Sequence, residues 1–331
     1  MVSAKGNPRS EVDLAGDSET GADGVLALPA RLARYSKARR IALEVQSFAH
    51  ENGHVKEANR LADCGNYLTF RNYYTIDQVR LQAARFCRIH LLCPLCAIRR
   101  GSKMLKAYLD RYTVLHDKYP DLKPYLVTTT VRNGPDLGER FQHLRSGLRQ
   151  MGQARSNYLK GKGPWVEYAH SLGGVQSIET TNKGKGWHPH SHGIWLCASE
   201  PSEEALKRQW RGWTGDSDQC NIKLITDPVS GFVEVFKYAV KVSVMRPDLT
   251  FQAYEVFRSR RLIDSHGLMR GVKIPKSLLD VPLENLPFEE LFYRYLARSG
   301  YSFTGSRLGY QGSKDSDPVY FDSEIGEIPS A

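Results

Sequence analysis

The chain has 331 residues, with 46 Lys and Arg against 36 Asp and Glu and with 41% hydrophobic and 10% aromatic residues; that length suggests about two domains at ~150 residues each, and that apolar content excludes wholesale disorder. No apolar run approaches the ~20 residues needed to cross a bilayer, and the polar first 24 residues lack the basic-then-apolar order of an export signal, so the sequence points to a cytoplasmic protein without membrane contact whose six cysteines favour metal binding over disulfides. Residues 1–24 carry two basic and five acidic side chains and residues 312–331 one and five, so the net charge of +10 becomes +17 on residues 25–311, a balance that calls for a polyanionic partner.

Both ends, residues 1–27 and 312–331, are rich in Gly, Ser and acid and read as disordered acidic tails. Between Pro29 and Asp63, Leu32, Tyr35, Ala38, Ile41, Ala42, Val45 and Phe48 recur at helical spacing and Asn52-Gly53 marks a break, which predicts a long helix and a short one. From Cys64 to Cys96 short alternating runs suit hairpins around a cysteine cluster, so that residues 28–100 form a helical, zinc-binding segment. A helix follows from Ala97 to about His116. The β-branched run Pro124 to Val131, closed by Asn133-Gly134, predicts a strand, and Leu137 to Leu159 a helix.

Val175 to Thr181 and His188 to Cys197 read as two strands joined by a glycine-containing hairpin loop at residues 182–186. A helix over Glu203 to Trp213, a strand over Asn221 to Thr226 and a helix over Phe232 to Val244 complete a catalytic domain at residues 101–271. This succession predicts an α+β fold, an antiparallel sheet with helices on one face. Residues 272–311 read as a C-terminal helical extension carrying Phe288, Phe292, Tyr293 and Tyr295, able to pack on the core, to form a homo-oligomer or to touch DNA.

Cys93-Pro94-Leu95-Cys96 is a Cys-x2-Cys knuckle preceded by Cys87 and Cys64, four thiolates that match the tetrahedral demand of structural Zn2+. Cys197 and Cys220 lie in strand patterns and read as core residues. Arg85, Arg88, Arg99, Arg100 and Lys103 surround the knuckle and suit phosphate contacts.

In Trp187-His188-Pro189-His190-Ser191-His192 the strand period sends His188, His190 and His192 to one face, where imidazoles suit a divalent cation. With the hairpin loop centred between Gly184 and Lys185, Glu179 lies across from His190 and would complete a site for Mg2+ or Mn2+, with His188 competing for the third ligand position. Further on, helical spacing places Glu234, Tyr238 and Lys241 on one face. A lysine favours the phenolate of a tyrosine, and Glu234 can take a proton from Tyr238 or from water. Lys237 lies beside them as a DNA contact.

These blocks, in this order, resemble the rolling-circle replication initiators of small bacterial plasmids, members of the HUH endonuclease superfamily. The blocks are Cys64-Gly65-Asn66 with Phe86-Cys87 and Leu92 to Cys96, then Leu126 to Thr130, then Glu179-Thr180 with Trp187 to His192, and last Glu234 to Lys241. One departure is Ser191, where the family carries a bulky apolar residue between the metal histidines. The resemblance implies that Tyr238 attacks a phosphodiester at the plasmid's double-strand origin, single-stranded or in a hairpin, leaving a 5′-phosphotyrosine and a free 3′-OH. It also implies host helicase and DNA polymerase as partners, and water activation by Glu234 at termination. A conjugative relaxase or single-tyrosine transposase shares the chemistry, but the cysteine block argues against it; a non-catalytic zinc-containing nucleic-acid-binding protein is the remaining alternative.

Overall fold

A computed structural model describes residues 24–273 and 286–309; the acidic tails expected at 1–27 and 312–331 lie outside these residues except for 24–27, where Val25–Ala27 makes one 3-10 turn. Along the chain, helices α1 (Leu28–Glu51) and α2 (Val55–Ala62) precede strands β1 (Tyr67–Tyr73) and β2 (Gln78–Ala83). Helix α3 (Pro94–Lys118), β3 (Lys123–Thr130), α4 (Leu137–Leu159), β4 (Ser171–Asn182) and β5 (Trp187–Cys197) follow. After α5 (Glu203–Thr214) and β6 (Cys220–Leu224) come α6 (Pro228–Phe236), α7 (Tyr238–Ser243), α8 (Pro247–Phe257) and β7 (Ile263–Gly267), then β8 (Phe288–Leu296) and β9 (Gly300–Gly309). No described helix is long and apolar enough to cross a membrane.

The chain divides into two units. One contains α1, α2, the cysteine knuckle and an antiparallel sheet of order β2-β1-β8-β9. Its long helix carries Pro29 in its first turn and is capped at Asn52, after which Gly53 turns with φ 77°. Arg39, 2% exposed, reaches from α1 to the end of α2 and donates to Leu61 O (2.7 Å), Ala62 O (2.6 Å) and Asn66 Oδ1 (2.7 Å). A buried guanidinium thereby adds donors to carbonyls in the last turn of a helix, where intrahelical partners run out.

The expected helix at Phe288, Phe292, Tyr293 and Tyr295 is corrected here. These residues lie in β8, which pairs with β1 (Phe70↔Leu291, Arg71↔Glu290) and with β9 (Tyr295↔Tyr301). Phe70 and Tyr293 meet edge to face with centroids 5.9 Å apart, and Arg71 binds the buried Glu290 at 3.0 Å. The aromatic run satisfies helical and strand spacing alike, and a partner strand more than two hundred residues away decides between them.

The other unit holds a five-stranded antiparallel sheet of order β6-β3-β5-β4-β7. Helices cover both of its faces, not one. On the first face Val175, Ile194 and Leu196 pack with Leu105 and Tyr108 of α3 and Phe232, Val235 and Phe236 of α6. On the second, Ile178 and Gln176 line a cavity with Leu148 and Met151 of α4, and Trp195 stacks near Tyr168 at 4.8 Å. β4 and β5 are buried almost without interruption, so both sets of alternating side chains need an apolar layer, each fully buried Ile or Phe contributing about 1.5–3 kcal/mol. Gly147 of α4 allows α5 to approach: a Cβ there would come within 2.8 Å of the Trp210 ring.

Short-range chemistry sets the other boundaries. Asp136 caps α4 by accepting from Glu139 N (2.7 Å), and Ser202 caps α5 by accepting from Ala205 N (3.2 Å). The single helix expected over Phe232 to Val244 starts earlier and is divided. Asp227 accepts from Val229 N and Ser230 N at its start, Pro228 follows, and Lys237 separates α6 from α7.

Candidate functional site

The hairpin β4–β5 builds the site. Gly184 and Gly186 take positive φ (86° and 85°), and Trp187 exchanges backbone hydrogen bonds with Gly134 at 2.7 and 3.1 Å, which locks the register. Glu179 is paired with His190, as the loop centre predicts, and Ser177 with His192. On the face shared with α3 and α6, His190 Nε2 and His192 Nε2 each lie 2.6 Å from Glu179 Oε1. Glu179 is fully buried and His190 is 7% exposed.

Each ring is oriented from behind. His192 Nδ1 is 2.9 Å from Thr128 Oγ1 on β3, and His190 Nδ1 donates to His188 O (3.1 Å). Both Nε2 atoms are thereby presented to the same point, the arrangement that metal-binding histidines use. Glu179 Oε2 is buried and has no hydrogen-bond partner among the described residues. Leaving such an acceptor unsatisfied costs about 1–3 kcal/mol, so the donor set of one carboxylate and two imidazoles fits a divalent cation. His188 stands apart from this group, with Nδ1 2.6 Å from Asn133 Oδ1. Burial opposes the charge on Glu179, yet hydrogen bonds from His190 and His192 and the nearby Lys241 hold its carboxyl well below the usual range.

Lys241, expected to act on the tyrosine, forms an ion pair with Glu179. Glu234 of α6 pairs with Lys237, which is half-buried. Tyr238 is the first residue of α7, and its side chain lies outside the description. Ser191 is 3% exposed and pairs with Ile178 and Thr129, on the face away from the histidines.

The four cysteines of the other unit converge. Cys64 Sγ lies 3.5 Å from Cys93 Sγ and 3.7 Å from Cys96 Sγ, and Cys87 Sγ lies 3.5 Å from Cys96 Sγ. Tetrahedral zinc with bonds of about 2.3 Å sets its sulfurs ~3.8 Å apart, whereas a disulfide needs about 2.05 Å. Cys87 N also donates to Cys64 Sγ (3.3 Å), and hydrogen bonds from Cys87, Cys93 and Cys96 push the Cys64 thiol far below its usual value. Arg88, in the left-handed region at φ 61°, makes the turn directly after Cys87. Cys197 and Cys220 are buried core residues whose thiols burial pushes up to about 12, which leaves them inert.

Arg85, Arg88, Arg100 and Lys103 are exposed and Arg99 is half-buried; Arg85 pairs with Asp63 at 3.0 Å. Sequence reasoning missed Thr128 and Asn133 as partners of the histidines and the pairing of Lys241 with Glu179. The strand pattern at Thr128 was visible, but its register against β5 joins residues 64 apart and leaves no local signal.

Residues 78–204 match a family described as replication protein, a span that includes Cys87, Cys93, Cys96, Glu179, His190 and His192. The chain is similar to a "Protein rep" from a Bacillus species, 30% identical over 142 residues, 42% of this chain and 43% of the relative. It is also similar to a "Protein rep" from Bacillus amyloliquefaciens, 30% identical over 140 residues, 41% of this chain and 38% of the relative. The aligned part thus spans about two fifths of each relative. No solved structure matches. The resemblance carried by the motifs is borne out at the level of the replication protein family.

Proposed function

We propose that the protein is a plasmid rolling-circle replication initiator that nicks and rejoins one DNA strand at its origin through a 5′-phosphotyrosine on Tyr238. The observation that carries this is the convergence of Glu179, His190 and His192 on one sheet face, with a buried carboxylate oxygen that has no partner among the described residues, beside the helix that begins at Tyr238. Similarity to replication proteins over the same hairpin supports it.

Glu179, His190 and His192 would hold Mg2+ or Mn2+, which when bound withdraws electron density from a phosphodiester oxygen. Thr128 and the His188 carbonyl keep the two rings in place. Tyr238 Oη forms the new bond to phosphorus as the P–O3′ bond breaks. The phenolic proton leaves by way of Glu234, the 3′-oxygen gains one, and a 3′-OH is left for a host polymerase to extend behind a helicase. Lys241, three residues along α7, favours the phenolate; at termination Glu234 accepts a proton from the attacking water. The four cysteines would hold Zn2+ as a structural staple, and Arg85, Arg88, Arg99, Arg100, Lys103 and Lys237 would contact DNA phosphates.

A supercoiled plasmid carrying the cognate origin, incubated with protein and Mg2+ or Mn2+, is expected to become open circles with protein attached to the 5′ end. Tyr238→Phe is expected to abolish nicking and attachment while DNA binding persists. Nicking by the phenylalanine variant at the parental rate would remove the proposed nucleophile.

A further inference from the structure

Seven arginines of the catalytic unit line two cavities that the chemistry above does not use. The first cavity, of about 360 Å³, is bounded by Arg145, Arg149 and Arg155 near or on α4, by Gln176 and Ile178 of β4, and by Arg261. Gln176 and Ile178 alternate with Glu179 along the strand, so this cavity lies on the sheet face opposite the histidines. The second, of about 290 Å³, is bounded by Arg100, Met104 and Tyr108 of α3 and by Arg258, Arg260 and Arg261. Both share Arg261, Leu262 and Ile263. The two cavities therefore run together around the start of β7, an edge strand, from one face of the sheet to the other.

The charge along this strip is only partly compensated: Arg258 pairs with Glu255 at 3.3 Å, and the strip's arginines on α4 are left over. Arg145 and Arg149 are exposed, stand one helical turn apart and have no ion pair among the described residues; Arg145 only rests on the Phe141 ring at 5.7 Å. Like charges at that spacing cost a few tenths of a kcal/mol. Arg155 donates to Ser171 O (2.7 Å), but its Nε is buried without a partner among the described residues. Asp264, the acidic residue lining the first cavity, is shared between Arg270 (3.2 Å) and Arg261 (3.5 Å). His266 sits against Tyr168 and Ser171, and burial, then Arg155 and Arg270, push its pKa down to about 3, so it adds no charge of its own at neutral pH.

The lining also says which polyanion fits. Proteins that hold single strands offer exposed aromatic faces for bases to stack on. Here the aromatic lining residues Tyr168, Tyr108 and Phe257 are 7%, 8% and 1% exposed, so no such platform is present. Arginines in an open trough without stacking platforms read backbone phosphates, and a duplex presents these without its bases.

We propose that this arginine strip is a sequence-independent docking surface for double-stranded DNA, which it holds around the β7 edge while one strand is processed on the histidine face. The proposal rests on the assignment of the protein to DNA processing and adds a second contact site to it. The strip positions duplex and takes no part in the reaction.

The test uses the full chain and fluorescence anisotropy with a duplex of unrelated sequence, about 30 base pairs long, and with one of its strands, between about 50 and 200 mM salt. Arg145→Ala with Arg149→Ala, and Arg258→Ala with Arg261→Ala, change exposed side chains; unaltered circular dichroism confirms folding. Each pair is expected to weaken duplex binding at least about tenfold and to lower the slope of log affinity against log salt by ~1.8, at ~0.9 per phosphate contact. Cleavage of a single-stranded origin oligonucleotide is expected to stay at the parental rate, and Arg211→Ala, an exposed arginine of α5 that lines neither cavity, to change neither. Unchanged duplex binding in both pairs, or an equal loss of single-strand binding, overturns the strip while leaving the nicking activity intact. Failure of the parent protein to bind either DNA overturns the DNA assignment itself.

Discussion

Glu179 carries the site because it touches both the His190 and His192 imidazoles and Lys241. Replacing it by Gln keeps the shape and removes the charge. Calorimetry with Mn2+ is expected to show affinity reduced by about 100-fold or more, and parental affinity would exclude Glu179 as a ligand. Thr128→Val tests the support behind His192: loss of an outer-shell partner of this kind lowers metal affinity by about 10–100-fold. His266 gives a pH dependence. Its folded value of about 3 lies below the ~6.5 of an unfolded histidine, so between these values the unfolded chain binds the extra proton. Stability is therefore lost as pH falls through that window, by up to ~1.4 kcal/mol per pH unit, and is unaffected above it. Urea titrations at pH 7, 5.5 and 4.5 are expected to show a shallower decline for His266→Gln than for the parent; parallel declines would contradict this.

At the scale of elements, the cysteine knuckle and the helix pair α1–α2 are held by few, concentrated interactions. Arg39 satisfies two carbonyls and Asn66 at once. Arg39→Met keeps a similar volume but removes the donor to the partly buried Ala62 O and to Leu61 O and Asn66 Oδ1, at about 1–3 kcal/mol in total. A matching drop in unfolding free energy is expected in urea, and a change below about 0.5 kcal/mol would show that water replaces the guanidinium. The sulfur cluster has the spacing of a metal site, and Cys96→Ser is expected to release bound zinc and lower the melting temperature of the unit that holds it. Retention of one zinc per chain by this variant would place the metal elsewhere.

For the molecule as a whole, the pairing of β1 with β8 ties the N-terminal segment to a strand more than two hundred residues later. A chain ending at residue 285 would leave β1, with buried Leu68 and Phe70, as an open sheet edge. Such a truncation is expected to aggregate on purification, measured by light scattering, and a monodisperse product would show that the β1–β2 hairpin needs no cover. The charge follows the same logic of assembly. The +17 of residues 25–311 is visible as a sum, but the strip that gathers Arg145, Arg149 and Arg261 draws on α4 and the α8–β7 loop, and only folding brings them together.

Local chemistry alone determined the features whose causes are short in range. The pairing of Glu179 with His190 follows from a hairpin loop centred between Gly184 and Lys185 and a period of two, the cysteine knuckle from its spacing, and α4 from an apolar repeat begun by a capping Asp136. Tertiary structure decided what depends on a distant partner. It made β8 a strand where local spacing read as helix, covered both sheet faces where one was expected, set Thr128 behind His192, and aimed Lys241 at Glu179. The physical reason is common to all four: each is settled by burial or pairing between residues tens to hundreds of positions apart, and periodicity within a window of sequence carries no record of such contacts.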